Sequence, residues 1–171
     1  LKAETPATVD IIKADDIRAV RPTHPSQIMG QIPGVWVSVT GGEGHQTAIR
    51  QPLTTSPVYL YLEDGIPTRS TGFFNHNAMY EVNVPQAGGI EVTRGPGTAL
   101  YGSDAIGGVV NVMTRAPSLE PDLMIGADAG ESGFKRLLLS ASNTFNNEGL
   151  RADVNVTKTD GWRDATDYDR H

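Results

Sequence analysis

The sequence predicts an α+β domain, a small mixed sheet with short helices and long loops, followed by a run of antiparallel β-strands. The chain of 171 residues holds 19 glycines and 11 prolines, well above the ordinary share of about 12%. Such an excess favours turns over long helices. Short apolar runs in the first two thirds carry the period of two that strands require. After Ala116 and Pro117 a longer and more regular alternation begins, which marks a second region.

Six short apolar runs in the first region predict strands, because each is bounded by glycine, proline or polar turn residues. These runs are residues 7–12, 35–39, 47–50, 58–63, 89–94 and 108–114. Residues 14–20 predict a helix, since two acids lie at its start, where the helix dipole favours them. Residues 24–32 predict a second short helix with apolar side chains four positions apart, and residues 96–101 predict a helical turn.

Two polar loops, 41–46 and 65–77, lie among these strands. We assume that consecutive strands are neighbours, which is the commoner case. Strands 35–39 and 58–63 then run in one direction and strand 47–50 in the other. The two loops are therefore expected at the same end of the domain.

Three segments of the second region alternate apolar and polar residues and predict antiparallel strands, within 123–130, 137–142 and 150–157. The connectors 131–133 and 146–149 have the composition of hairpin turns. The segments run roughly nine to twelve residues, near the ~9–11 of a strand that crosses a bilayer in a barrel. The same alternation fits an amphipathic sheet that covers a soluble core, and the pattern leaves both alternatives open.

Charge and composition exclude several classes of protein. The net charge is −6 and is evenly spread, so no nucleic-acid partner is expected, because phosphate binding needs clustered cations. Without cysteine there is no disulfide or thiolate site. No apolar run reaches the ~18 residues of a membrane-spanning helix. The start at Leu1 and Lys2 has no signal-peptide core, so we expect a processed or excised piece of a longer protein, and this does not argue against export.

The residues offer no constellation for catalysis, so we predict no enzyme, no catalytic residue and no cofactor. The phosphate-loop, zinc-protease and nucleophile-elbow motifs are absent from the sequence. His45 and His76 lie in the two loops assigned to one end and are expected to be solvated rather than metal-binding. Asp164, Asp167 and Asp169 are oxygen donors of the kind calcium takes, but their spacing fits an acidic solvated loop better. No metal site is predicted.

Five segments carry a resemblance to a known family. Residues 90–115, IEVTRGPGTALYGSDAIGGVVNVMTR, closely resemble the signature near the end of the plug domain of TonB-dependent outer-membrane receptors. Four upstream segments resemble the family in the same order: VDIIKADDI (9–17), QIPGVWV (31–37), TAIR (47–50) and LEDGIP (62–67). The resemblance implies a plug domain over 1–117 and the first three strands of the surrounding transmembrane β-barrel over 118–171, truncated.

The resemblance implies a receptor that imports a scarce nutrient through the outer membrane of a Gram-negative bacterium, with the plug gating the barrel channel. It also implies a partner, the energy-coupling protein TonB, which pulls on an N-terminal box. No such box is evident before Ala7, so this piece is expected to begin after it.

Two arginines are implied to anchor the plug to its own barrel, Arg50 of the TAIR segment and Arg94 of the RGP segment. In the family such arginines pair with glutamates of the inner barrel wall, and burying them unpaired is costly. Gln51 departs from the usual IRG motif, which affects the local turn more than the arginine. In this chain alone, both side chains are expected to reach solvent or to pair with other acids.

The implied cargo is a ferric siderophore or a similar metal chelate, with cobalamin or haem as alternatives within the family. A free-standing soluble binding module with a plug-like fold is a further alternative. Arginine charge and aromatic stacking in the two loops suit an anionic or aromatic chelate. The candidate cargo-binding residues are Glu43, His45, Gln46, Arg69, Ser70, Thr71, Phe73, Phe74, Asn75 and His76. Unpaired apolar strands in the second region also predict that the piece either self-associates or folds these strands back onto its own core, with self-association favoured.

Overall fold

A computed structural model describes residues 8–56, 58–69 and 77–171. The chain divides into two compact units, Leu1–Thr114 and Arg115–His171. The boundary lies three residues before the predicted one at 117. Among the described residues, no helix is both long enough and apolar enough to cross a membrane.

The first unit is built on a mixed five-stranded sheet and a separate hairpin. Its strands are β1 (Thr8–Lys13), β2 (Val35–Gly41), β3 (Gly44–Ile49), β4 (Tyr59–Glu63), β5 (Ile66–Pro67), β6 (Gly89–Arg94) and β7 (Gly108–Met113). The sheet order is β1-β6-β7-β4-β5, and β2 pairs with β3 in the hairpin. All pairs are antiparallel except β4 with β7, which is parallel. The predicted α+β class with a small mixed sheet is confirmed.

The short α-helices lie within the segments for which the sequence predicts helix. They are α1 (Ala14–Val20), α2 (Ser26–Met29) and α3 (Thr98–Tyr101), with two 3-10 helices at Ala78–Glu81 and Val84–Gln86. At the start of α1, the Asp16 carboxylate accepts a hydrogen bond from the Lys13 N–H at 2.9 Å, which satisfies an otherwise unpaired end group. The two 3-10 helices were not predicted, because a single turn leaves too few residues to show a period.

The core of this unit forms on both faces of the sheet. One cluster holds most of the large side chains, including Ile17, Met29, Tyr61, Ile90 and Val110. A smaller cluster contains Leu60, Leu62, Ala105 and Val109. Strand β4 is buried on both faces, as is usual where a strand runs parallel to its neighbour inside a sheet.

The assumption that placed loops 41–46 and 65–77 at one end was wrong. Strand β4 does not pair with β3 but lies beside β7, a neighbour 45 or more residues away in the chain. The first loop is also shorter than predicted, because β3 begins at Gly44. His45 of the first loop nevertheless contacts the helical turn that follows residue 77, since the Met79 N–H donates to His45 Nε2 at 3.4 Å.

The second unit is an antiparallel sheet in the order β11-β10-β9-β8. Its strands are β8 (Asp122–Ala129), β9 (Lys135–Phe145), β10 (Glu148–Thr159) and β11 (Tyr168–Arg170). The prediction of three strands missed the short fourth, which forms beyond the acidic segment. The β9–β10 turn places Asn146 and Asn147 at φ 47° and 77°, the left-handed pair that a two-residue hairpin turn requires.

Candidate functional site

Arg69, a predicted cargo-binding residue, is held on several sides by its own unit. Its Nε donates to Glu81 Oε1 at 2.7 Å, Nη1 to the Asn77 side-chain oxygen at 3.1 Å, and Nη2 to the Tyr80 hydroxyl at 2.8 Å. The guanidinium also lies 5.5 Å from the centre of the Tyr80 ring, within cation–π distance. Only 13% of the side chain is exposed. These contacts fix Arg69 to the segment 77–81.

His45, also predicted to bind cargo, is fully buried rather than solvated. Its Nδ1 lies 2.9 Å from the Glu43 carbonyl oxygen, and its Nε2 accepts from the Met79 N–H. A ring that accepts at Nε2 and donates at Nδ1 is neutral. The expectation of a solvated loop histidine is therefore wrong, because β3 begins earlier and carries His45 into the interior. Glu43 and Gln46 remain half-buried, in the turn and in β3.

His24, which the sequence did not single out, packs against His45. The two ring centres are 5.6 Å apart at an interplanar angle of 78°, an edge-to-face arrangement. His24 Nε2 reaches the same Glu43 carbonyl at 3.3 Å, and its Nδ1 accepts from the Ser26 N–H at 3.1 Å. Burial lowers the pKa of His24, and the bond to Glu43 opposes that shift in part.

The other six candidate cargo-binding residues are Ser70, Thr71, Phe73, Phe74, Asn75 and His76. They lie outside the described residues. Arg69 and Asn77 flank this segment in the chain, and their side chains are hydrogen-bonded to each other.

Arg94 lies in β6 and forms a mostly buried ion pair with Asp10 of β1. Arg94 Nη2 is 2.6 Å from Asp10 Oδ2, and the two side chains are 13% and 22% exposed. Nη1 donates to the Pro33 carbonyl at 2.6 Å, while Nε is buried with no hydrogen-bond partner among the described residues. Because Thr8 is opposite Arg94 in the register, Asp10 is the diagonal neighbour that a long side chain can reach.

Arg50 lies on the other side of the same turn and is exposed. Its N–H donates to the Gly34 carbonyl at 3.0 Å, and its backbone is left-handed at φ 55°. A Cβ added to Gly34 would lie 3.6 Å from Arg50 Cγ and 3.7 Å from Arg94 Nη1. The two arginines therefore flank the Pro33–Gly34 turn, one paired with an acid and one open to solvent, as expected for this chain alone.

The second unit has opposite chemistry on its two faces. One face exposes large apolar side chains: Leu123, Ile125, Leu137, Leu139, Phe145, Leu150, Val154 and Val156. The alternate positions carry the buried Leu138 and otherwise buried polar groups: Arg136, Ser140, Ser142, Asn155, Thr157 and Thr159. Arg136 pairs with Asp128 at 2.7 Å, with side chains only 3% and 12% exposed. A sheet that covers a soluble core would bury the apolar face instead.

No group of three or more potential metal ligands forms within residues 8–56, 58–69 and 77–171. Asp164 and Asp167 are exposed, and Asp169 lies in β11. His171 Nε2 lies 3.8 Å from the Asp169 carboxylate.

Comparison with known proteins identifies the class to which this architecture belongs. The family model described as TonB-dependent Receptor Plug Domain matches residues 1–109. The vitamin B12 transporter BtuB of Vibrio vulnificus is 32% identical over 151 residues, which are 86% of this chain and 24% of that protein.

Solved structures give the same fold. The ferripyoverdine receptor of Pseudomonas aeruginosa superposes with a TM-score of 0.72 at 20% identity, over 91% of this chain and 21% of the receptor. A variant of the ferric enterobactin receptor of the same organism, in complex with enterobactin, gives 0.67 at 28% identity, over 92% of this chain and 25% of that receptor.

The chain belongs to the TonB-dependent receptor family. Members of this family are outer-membrane receptors and transporters of Gram-negative bacteria, not enzymes. The chain spans between a fifth and a quarter of the length of these relatives.

Proposed function

We propose that residues 1–117 are the plug and residues 118–171 the first strands of the barrel in a receptor that imports a metal chelate. The observation that carries this proposal is the polarity of the second unit, whose apolar face is exposed while its polar positions are buried. An outward apolar face and a polar interior are the arrangement of an outer-membrane barrel.

A ferric siderophore is the first candidate cargo. The relatives solved with this fold include a ferripyoverdine receptor and a receptor in complex with enterobactin. Cobalamin is the second candidate, because the 32% identical relative is a vitamin B12 transporter. Both cargoes are bulky metal chelates that a plug would have to admit by rearranging.

The cargo is proposed to meet the plug at the end formed by residues 43–46 and 65–77. Glu43 and Gln46 are the half-buried side chains of that end. Arg69 and His45, which are held inside the unit, act there by positioning its segments. Phe73 and Phe74 supply rings that suit a flat or aromatic chelate.

Arg50 and Arg94 are proposed to anchor the plug to the barrel wall, and TonB is the proposed energy-coupling partner. The Arg94 Nε, buried with no hydrogen-bond partner among the described residues, supports a further acceptor for this cluster. Arg50 is exposed beside the Arg94–Asp10 pair, and an acid of the barrel wall would neutralise its positive charge.

Growth of a deletion strain tests the cargo. The strain is complemented with the full-length receptor and supplied with a panel of ferric siderophores, haem or cyanocobalamin as limiting nutrient. Rescue by one ferric siderophore only supports the first candidate, and rescue by cyanocobalamin only supports the second. A receptor that rescues on no nutrient, and that fractionates with soluble protein, would instead be a plug-like soluble binding module.

The apolar face is also proposed to drive self-association of the 171-residue chain in water. Each large apolar side chain gains about 1.5–3 kcal/mol by leaving water, and an edge strand invites pairing with another chain. Light scattering of this chain beside a 1–117 truncation tests the idea. Larger species in the longer chain only, lost on adding detergent, are expected, whereas two monodisperse monomers would contradict it.

A further inference from the structure

Thr114, the last residue of the first unit, is held by the carboxylate of Asp64. The Thr114 N–H donates to Asp64 Oδ1 at 2.8 Å, and its hydroxyl donates to Asp64 Oδ2 at 2.6 Å. Both oxygens of one carboxylate thus hold one residue, and hydrogen bonds to a charged acceptor are stronger than neutral ones.

Asp64 is itself fixed, because it begins the tight turn between β4 and β5. Its backbone is left-handed at φ 49°, and its N–H donates to the Val112 carbonyl at 3.0 Å. The next residue, Gly65, donates to the Asn111 side chain at 2.9 Å. The Asp64–Gly65 turn is therefore fastened to the end of β7 by its backbone as well as by its carboxylate.

Arg115, the first residue of the second unit, is held by a different carboxylate. Its guanidinium lies 2.9 Å from Asp153 Oδ1, with side chains 12% and 21% exposed, and it also donates to Ser140 Oγ at 3.2 Å. Arg151 Nη1 lies 3.5 Å from the same Asp153 oxygen. Two guanidinium groups therefore share one carboxylate on this face of the sheet.

Residues 116–118 continue along the same polar face. The Ala116 carbonyl accepts from Arg151 Nε at 3.2 Å, and the Ser118 N–H donates to Ser142 Oγ at 2.8 Å. The Ser118 carbonyl accepts from Thr144 Oγ1 at 2.7 Å. A Cβ at Gly149 would lie 2.7 Å from Pro117 Cβ, so a residue without a side chain makes room for this segment.

We infer that Thr114 and Arg115 form a doubly clamped joint, in which Asp64 fixes the end of the plug unit and Asp153 fixes the start of the barrel unit. Each clamp lies within its own unit, and the two clamped residues are consecutive. This inference rests on the proposed function. Within it, Asp64 and Asp153 are positioning residues. Asp64 keeps the C-terminal end of the plug unit on the β4–β5 turn, so the rearrangement that admits cargo takes place elsewhere in the plug.

Hydrogen–deuterium exchange on the full-length receptor in detergent tests the joint. In the wild type, the Thr114 and Ser118 amides are expected to exchange slowly. Asp64→Ala should speed exchange at Thr114 by about tenfold or more, the loss expected for one charge-assisted hydrogen bond, and leave Ser118 slow. Asp153→Ala releases Arg115 and also Arg151, which donates to the Ala116 carbonyl. It should therefore speed exchange at the nearby Ser118 amide. Asp64→Asn, which keeps one acceptor oxygen, should retain most of the protection at Thr114, and Glu120→Ala, an exposed acid on the same segment, is the matched control.

Slow exchange at Thr114 in Asp64→Ala, or fast exchange at both amides in the wild type, would overturn the joint. If Asp64→Ala fails to fold, Thr114→Val is the substitute, because it removes only the hydroxyl bond to Asp64. Unchanged uptake of small antibiotics through the Thr114→Val receptor would count against a positioning role for Asp64. Exchange needs no cargo. A receptor that rescues growth on no nutrient but shows both protected amides would therefore contradict the proposed function and leave the joint standing.

Discussion

Replacing Arg94 with alanine tests whether the ion pair with Asp10 stabilises the first unit from inside. The change removes the 2.6 Å contact to Asp10 and the 2.6 Å hydrogen bond to the Pro33 carbonyl. It leaves the Asp10 carboxylate, 22% exposed, without the guanidinium that now lies against it.

The size of the expected loss in the free energy of unfolding depends on how far the ion pair is exposed to water. Breaking a fully buried pair costs about 3–5 kcal/mol, whereas a surface pair is worth about 0–1 kcal/mol. Arg94 and Asp10 are mostly but not fully buried, so we expect a loss of about 2–3 kcal/mol in the free energy of unfolding. For a chain of this size that loss corresponds to a fall of roughly 5–10 °C in Tm.

The assay is thermal and urea unfolding of the 171-residue chain in detergent, with a double-mutant cycle through Asp10→Ala. Arg18→Ala is the matched control, because Arg18 pairs with Asp15 in the same unit at an exposed site. We expect a coupling energy of about 1–2 kcal/mol for the Arg94–Asp10 pair and a change near zero for Arg18→Ala. Equal losses for Arg94→Ala and Arg18→Ala would refute the burial reasoning.

Three further results are expected. If Arg69 positions its segment rather than binding cargo, Arg69→Ala and Glu81→Ala should weaken cargo binding alike in the full-length receptor, and tighter binding by Glu81→Ala would show that the freed arginine reaches cargo. Burial lowers the pKa of His24 in the folded protein, so the unfolded state takes up this proton more readily. The free energy of unfolding should therefore fall as the pH drops below about 6.5. Urea unfolding between pH 5 and 8 should show a smaller fall in His24→Gln than in the wild type. Gly107→Ala should cost about 1–3 kcal/mol, because its Cβ would lie 2.5 Å from a buried tyrosine ring, whereas Gly126→Ala, with its nearest contact at 3.6 Å, should change Tm little.

The positions of strands could be predicted from the sequence, but their partners could not. Period two and turn residues located β4 and β7 to within a residue or two, because those signals are local. The parallel pairing of these two strands depends on contacts 45 or more residues apart, for which a single sequence carries no direct signal. The assumption that neighbours in sequence are neighbours in the sheet therefore failed at this point.

For the charged residues, the sequence likewise indicates that a partner is needed but not which residue supplies it. A buried arginine demands an acid, and this rule predicted that Arg94 would pair or reach solvent. It could not select Asp10, because the choice depends on the diagonal register of β1 against β6. His45 was missed for a different reason. The pairing of β2 with β3 extends beyond the predicted strand to Gly44, and this extension places His45 in a strand with its side chain in the interior.

The second unit shows why alternation alone leaves a sheet's surroundings open. A period of two sorts side chains onto two faces, but it does not say which face meets the interior. In the structure the polar positions are the buried ones, and the Arg136–Asp128 pair is 3% and 12% exposed, while Leu123 and Leu150 are more than two-thirds exposed. A water-soluble sheet would leave these leucines unfavourably hydrated and would bury a charged pair at a cost that apolar side chains avoid. Hydrocarbon outside and a polar lumen inside would remove both penalties, so the exposure of this apolar face supports the proposed barrel.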